Sequence, residues 1–205
     1  MYIIGITGMI ASGKTSVSKL YKEMGAYLLD ADKIGHELLL NQNIKKQISD
    51  TFGREVLDNN GEIDRHKLSE IVFNSEEKLE LLNQITEKPI VSVIRENIME
   101  LEEVGFPGIV VIDAAILPRW ELVKSIDLII LVESPKWQLM NRLVRQKGFT
   151  QDEAKIRIGI QEPMFKNFHP THSLVIKNNG DFVEMRTNAM NIWMQIKQLA
   201  REKEQ

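Results

Sequence analysis

The run Gly8-Met9-Ile10-Ala11-Ser12-Gly13-Lys14-Thr15 constrains this chain more than any other stretch. Before it lies Tyr2-Ile3-Ile4-Gly5-Ile6-Thr7, an apolar segment of strand length. After it, Val17, Leu20, Tyr21 and Met24 recur at helical spacing. Strand, Gly-rich turn, Gly-Lys-Thr and helix, in that order, make the phosphate-binding P-loop pattern. The glycines let the backbone wrap a phosphate chain with its N–H groups inward, at the positive end of a helix. Lys14 adds a full charge at the β/γ-phosphates, and the Thr15 hydroxyl suits Mg²⁺. Gly8, Ala11, Ser12, Gly13, Lys14, Thr15 and Ser16 are therefore the candidate contacts to a nucleoside triphosphate.

A chain of 205 residues, 43% of them hydrophobic, can bury one core and carry a small inserted subdomain. Its net charge of −3 argues against a protein built around a nucleic-acid backbone. Having no cysteine, it can form no disulfide, thiolate metal site or thiol nucleophile. No leader pattern precedes the first strand, and no apolar run approaches the roughly 20 residues that cross a bilayer. A cytoplasmic protein without nucleic-acid or membrane partners is expected, as a monomer or weak homo-oligomer.

Further along, Gly25 reads as a helix C-cap, followed by a short strand over 26–29 that ends in Asp30-Ala31-Asp32. A helix over 33–40 leads into a long helical region from Ile44 to about Val104. Within that region Asp58-Asn59-Asn60-Gly61 is a turn, Asp64 and Ser75 start helices, and Pro89 is expected to break or kink one near Lys88. Two continuous apolar runs, 108–113 and 127–132, read as strands covered on both faces. Ser134-Pro135 reads as a helix opening with the serine at the N-cap, and Thr150-Gln151-Asp152-Glu153 as a capping box. A fifth strand over 173–176 precedes a last helix from about Asp181, whose Trp and Met residues recur at core spacing.

Strands separated by helices imply an α/β fold: a five-stranded parallel sheet between helical layers, with ligands beyond the carboxyl ends of the strands. That rim gathers the P-loop, Asp30 and Asp32 after the second strand, and Asp113 after the third. Asp32 suits the base that orients an attacking hydroxyl, and Asp30 or Asp113 suits a metal contact through water. Helix capping competes for the first pair and a strand-ending turn for Asp113. Arg142, Arg145 and Arg157 flank a helical hairpin around Gly148. They read either as cations closing over a phosphoryl group or as a solvated face. His169 and His172 belong to a turn without a third metal ligand. No Asn-Lys-x-Asp guanine-reading motif occurs, which speaks against a GTP-driven switch. Phosphoryl transfer to a nucleoside or nucleoside monophosphate stays open, as does a nucleotide-binding adaptor without turnover.

Several stretches together resemble the dephospho-coenzyme A kinase family. They are the P-loop, Leu29-Asp30-Ala31-Asp32 with His36-Glu37-Leu38, and Ile63-Asp64-Arg65-His66-Lys67-Leu68 leading to Ile71-Val72-Phe73. Arg142-Leu143, Ala154 with Arg157 and Gln161, and Ile176-Lys177-Asn178-Asn179-Gly180 complete the set. The resemblance implies ATP as donor, Mg²⁺, and dephospho-CoA as acceptor at its ribose 3′-hydroxyl. It implies one kinase domain with a nucleotide-binding core over 1–40 and 105–205. A helical CoA-binding subdomain would span 41–104 and a lid 142–163. By the same resemblance Lys14, Asp32 and Arg142 are catalytic. Arg142, Arg157, Asn178 and Gly180 join the P-loop as ATP contacts, with 178–180 beside the adenine. Asp32, His36, Arg65 and Lys88 bind the acceptor. Alanine stands at position 11 where the family usually has glycine, which implies a negative φ there. Lys88-Pro89 replaces a common His-Pro, Ala114-Ala115-Ile116-Leu117-Pro118 a common Pro-Leu-Leu-Phe-Glu, and Arg145 falls one residue short of the usual arginine spacing.

Overall fold

A computed structural model describes residues 1–203. Chain contacts gather into two compact units, one holding Met1–Asp30 and the chain from Met99 onward, the other Ala31–Ile98.

The first unit contains the sheet. Strands β1 (Tyr2–Thr7), β2 (Tyr27–Asp30), β3 (Ile109–Asp113), β4 (Leu128–Glu133) and β5 (Ser173–Lys177) lie in the order β2-β3-β1-β4-β5. All four pairings are parallel. β1 and β3 are buried along their whole length, as their unbroken apolar runs require of central strands. Helices α1 (Lys14–Glu23) and α8 (Phe182–Lys203) cover one face. There Ile4, Ile6, Val111, Ile130, Val17, Tyr21, Ala189, Trp193 and Ile196 form the main core. Tyr21 stacks on Trp193 with ring centroids 4.8 Å apart and donates its hydroxyl to Ala189 O at 3.0 Å. On the other face Gly5 admits a 3₁₀ turn over Leu117–Arg119, since a Cβ at residue 5 would lie 2.6 Å from Leu117 Cδ2.

Helices α6 (Lys136–Lys147) and α7 (Gln151–Lys166) form a hairpin turning at Gly148, φ +73°. The Thr150–Glu153 capping box starts α7 as its sequence implies. Leu139, Leu143, Ala154 and Ile158 make a second core, against which Met9, Ile10 and Ala11 of the P-loop pack.

The second unit holds α2 (Ala31–Leu38), α3 (Gln42–Phe52), α4 (Arg65–Phe73) and most of α5 (Glu76–Glu103). Ile44, Ile48, Phe52, Val56, Leu68 and Val72 are its core. Asn41 caps α3 and Asp64 caps α4 through side-chain oxygens that accept backbone N–H groups.

Three local expectations fail. Pro89 does not end its helix: α5 runs 28 residues through it. Proline removes one N–H from the ladder, and the turns on either side continue the helix. Ser134 does not cap α6, because Pro135 occupies the N-cap and the serine hydroxyl is used elsewhere. The last helix buries Met185 and Trp193 but leaves Met190 and Met194 exposed, so its methionines are only partly core.

Candidate active site

β1 delivers the loop Gly8–Gly13 to the start of α1 at the carboxyl edge of the sheet. Gly13 is the N-cap of α1 at φ +101° and has no side chain to satisfy the first helical N–H groups. A Cβ at Gly13 would collide with the amide nitrogen of Asn178, so glycine is required on two counts. Ser12 is buried and its hydroxyl has no hydrogen-bond partner among the described residues. Ala11 adopts φ +62°, opposite in sign to the expectation from alanine. A left-handed alanine costs about 1–2 kcal/mol, so the loop imposes this shape against the residue's preference.

Lys14 is buried, with Nζ 3.3 Å from Asp113 Oδ1 at the end of β3. Asp30 ends β2 and stands in register with Asp113, which puts two carboxylates side by side on adjacent strands. Thr15 and Ser16 are exposed in the first turn of α1. Among the described residues no cluster of three His, Cys, Asp or Glu is arranged to hold a metal.

Arg142, on α6, donates from Nη1 to Ala11 O at 2.9 Å, Ser12 O at 3.2 Å and Ser134 Oγ at 2.9 Å. Its Nη2 donates to Asn178 Oδ1 at 2.7 Å and Asn178 O at 3.4 Å. Burial pulls its pKa below the ordinary arginine value, and each of these acceptors is neutral. Arg157 is buried with its guanidinium 4.3 Å from the Phe149 ring centroid. Burial lowers its pKa as well, partly opposed by Glu153. Arg145 is exposed. Gln161 Oε1 accepts the Ile10 N–H at 2.6 Å and so holds the loop from α7.

Asn178 and Gly180 follow β5. Asn178 is buried, whereas Gly180 is exposed at φ +116°. A cleft of about 460 Å³ opens nearby, lined by Met9, Ser134, Pro135, Phe165, Lys177 and Asn179 among others. In the helical unit Asp32 and His36 are exposed one turn apart on α2. Arg65 opens α4 and Lys88 lies within α5, both exposed. Asp32 does not cap its helix: α2 begins at Ala31 and places it in the first turn. Ser134 carries a role that sequence pattern missed, since Ser-Pro before a helix carries the signal of an ordinary N-cap.

The family model for dephospho-CoA kinase matches residues 2–184, nearly the whole chain. The chain belongs to the dephospho-CoA kinase family. A dephospho-CoA kinase of Carboxydothermus hydrogenoformans is 37% identical over 191 residues, covering 93% of this chain and 92% of its relative. That of Dehalococcoides mccartyi is 36% identical over 187 residues, covering 91% and 93%. The crystal structure of TT1252 from Thermus thermophilus shares the fold, with a TM-score of 0.75 at 23% identity over 95% and 96% of the two chains. The five-stranded parallel sheet thus agrees with the sequence reading. No helix among the described residues is long and apolar enough to cross a membrane.

Proposed function

We propose that this protein transfers the γ-phosphoryl group of ATP to the ribose 3′-hydroxyl of dephospho-CoA, giving coenzyme A and ADP. One observation carries the reading: in a chain of this family, the Gly8–Thr15 loop combines a helix start without a side-chain cap, a buried Ser12 hydroxyl with no partner among the described residues, and Lys14 held at the sheet edge. Backbone N–H groups, a hydroxyl donor and an ammonium are the groups a triphosphate asks for. Arg142 adds a positive charge that no carboxylate among its partners cancels. Arg157 adds a second cation on the same hairpin. Asn178–Gly180 borders the base, with Asn179 lining the nearby cleft.

The donor set fits Mg²⁺. The Thr15 hydroxyl would hold the ion, with Asp30 or Asp113 reaching it through water. This ion usually binds one or two protein oxygens together with substrate phosphates and water. When bound it would offset the negative charge of the phosphates during transfer. The chain's own residues do the rest. Lys14 and the loop amides hold the β/γ-phosphates in line with the acceptor. Asp32 accepts the proton of the 3′-hydroxyl as its oxygen bonds to phosphorus and the ADP oxygen departs. By the family resemblance, His36, Arg65 and Lys88 bind the acceptor. The substrates are small molecules, with no nucleic-acid or membrane partner, and the setting is the cytoplasm. The protein acts as a monomer or weak homo-oligomer.

The test is ADP release with ATP, Mg²⁺ and dephospho-CoA, with the product identified by mass, for wild type and Asp32→Asn. The expected product is heavier by one phosphate, and the variant loses on the order of 10²–10⁴ in kcat while still binding ATP. Faster turnover of a nucleoside monophosphate than of dephospho-CoA at equal concentration would replace the acceptor. An active Asp32→Asn would remove the base.

A further inference from the structure

We propose that Ser134, Arg142 and Asn178 form a brace that fixes the P-loop for the triphosphate, so that Asn178 serves the loop and does not read the base. The inference rests on the kinase reading above and assigns positioning roles, not contacts to reacting atoms.

Three polar side-chain groups converge on one carbonyl oxygen, that of Ser12. Asn178 Nδ2 lies at 2.8 Å, Ser134 Oγ at 3.1 Å and Arg142 Nη1 at 3.2 Å. Across a trans peptide the carbonyl oxygen and the next N–H point in opposite directions. No peptide bond in the described structure is cis. Holding Ser12 O on the brace therefore aims the Gly13 N–H the opposite way, away from Ser134, Arg142 and Asn178. Ala11 O is held on the same side by Arg142 at 2.9 Å, which helps maintain the left-handed turn at Ala11.

The brace closes on itself. Ser134 Oγ also lies 2.7 Å from Asn178 O and accepts from Arg142 Nη1. Its single proton goes to Asn178 O or Ser12 O, and either choice ties β4 to a neighbour. Asn178 N donates to Glu133 O at 2.7 Å, which fixes the β5 end against the β4 end. Both polar atoms of the Asn178 side chain are thus committed: Oδ1 to Arg142 at 2.7 Å and Nδ2 to Ser12 O. The residue is only 6% exposed, so reading an adenine edge with the remaining N–H or lone pair would require moving the amide out of this packed position. Its amide also packs where a Gly13 side chain would stand.

A brace and a base reader differ in what they discriminate. Calorimetric titrations without acceptor, with Mg²⁺ present, compare ATP, GTP and inorganic tripolyphosphate on wild type, Ser134→Ala, Ser134→Thr and Asn178→Ala. Loss of one such bond should weaken binding roughly three- to tenfold. Ser134→Ala and Asn178→Ala should show the same factor for all three ligands, and Ser134→Thr, which keeps the hydroxyl, should stay near wild type. In turnover, KM for ATP should rise while KM for dephospho-CoA holds. A loss confined to ATP in Asn178→Ala would make that residue a base reader and overturn the proposal. Unchanged affinity for every ligand in Ser134→Ala would overturn it too. If Asn178→Ala fails to fold, Asn178→Ser takes its place with the same readout, and the Ser134 pair, of which only the threonine keeps a hydroxyl, tests the brace. Failure of the kinase reading looks different: wild type would then bind none of the three phosphates, or bind them and leave dephospho-CoA unchanged.

Discussion

Lys14 Nζ lies 3.3 Å from Asp113 Oδ1, with the two side chains only 10% and 3% exposed. The carboxylate holds the ammonium at the sheet edge before any phosphate arrives. Asp113→Asn keeps the shape and removes the anion beside a buried cation, which costs about 3 kcal/mol. In a chain of this size that lowers Tm by about 6–12 °C. Triphosphate supplies negative charge at the same place, so the ATP-induced rise in Tm should be larger in the variant than in wild type. Thermal unfolding with and without ATP, in Mg²⁺-free buffer, checks both. A Tm close to wild type would show that the pair contributes little.

Ala11 at φ +62° and Gly13 at φ +101° predict opposite outcomes within one loop. Ala11→Gly removes a left-handed alanine and should raise stability by about 1 kcal/mol, or roughly 2–4 °C in Tm. Gly13→Ala adds the same kind of strain and drives a methyl into the Asn178 amide. It should abolish ATP binding measured by direct titration. A destabilised Ala11→Gly would mean that loop entropy outweighs the conformational strain.

These two positions also mark how far sequence alone reaches. The strands, the P-loop and the Thr150 capping box were legible because each is written in adjacent residues. Ser134 was not, since its partners Ser12 and Asn178 lie 122 and 44 residues away and only the sheet order brings them together. Ala11 misled because its own preference is overridden by the carbonyl contact to Arg142. Pro89 misled for a related reason: one missing N–H is a local loss, and the ladder of a 28-residue helix carries past it. Met194 shares the helical period of the core and is still 63% exposed, because α8 turns only one stripe toward the sheet.

Asp58 predicts a pH dependence in the helical unit. Its Oδ1 accepts the N–H of Glu62 at 2.9 Å and of Asn60 at 2.8 Å. The Glu62 bond first, then the Asn60 bond, holds its pKa below the ordinary aspartate value. A folded-state pKa below the unfolded one gives stability that is present above about pH 4 and lost as pH falls through the folded value. Carboxyl NMR titration should place Asp58 below ordinary aspartates, and amide exchange at Glu62 should quicken below that midpoint. In Asp58→Asn, which keeps the oxygen and loses the titration, this acid-triggered quickening should vanish. A midpoint at or above the ordinary value would remove the effect.

Gln161 predicts a coupling between hairpin and loop. Its Oε1 accepts the Ile10 N–H at 2.6 Å, while Met9, Ile10 and Ala11 pack on Leu139, Leu143, Ala154 and Ile158. The phosphate loop therefore shares a small core with α6 and α7, and the seating of the hairpin sets part of the loop's shape. Gln161→Ala leaves the Ile10 N–H without its acceptor, an effect of about 1–3 kcal/mol, so ATP affinity should fall on the order of tenfold. Gln161→Glu keeps the acceptor and adds a negative charge to the hairpin that holds the loop. Its loss should come from repulsion, and should shrink as salt is raised toward 1 M, where the Debye length is about 3 Å. Nucleotide titrations of both variants across ionic strength separate the causes: a salt-independent loss in the alanine variant and a salt-relieved loss in the glutamate variant. Equal salt dependence in the two would mean that Gln161 acts through the field at the loop and not through its bond to Ile10.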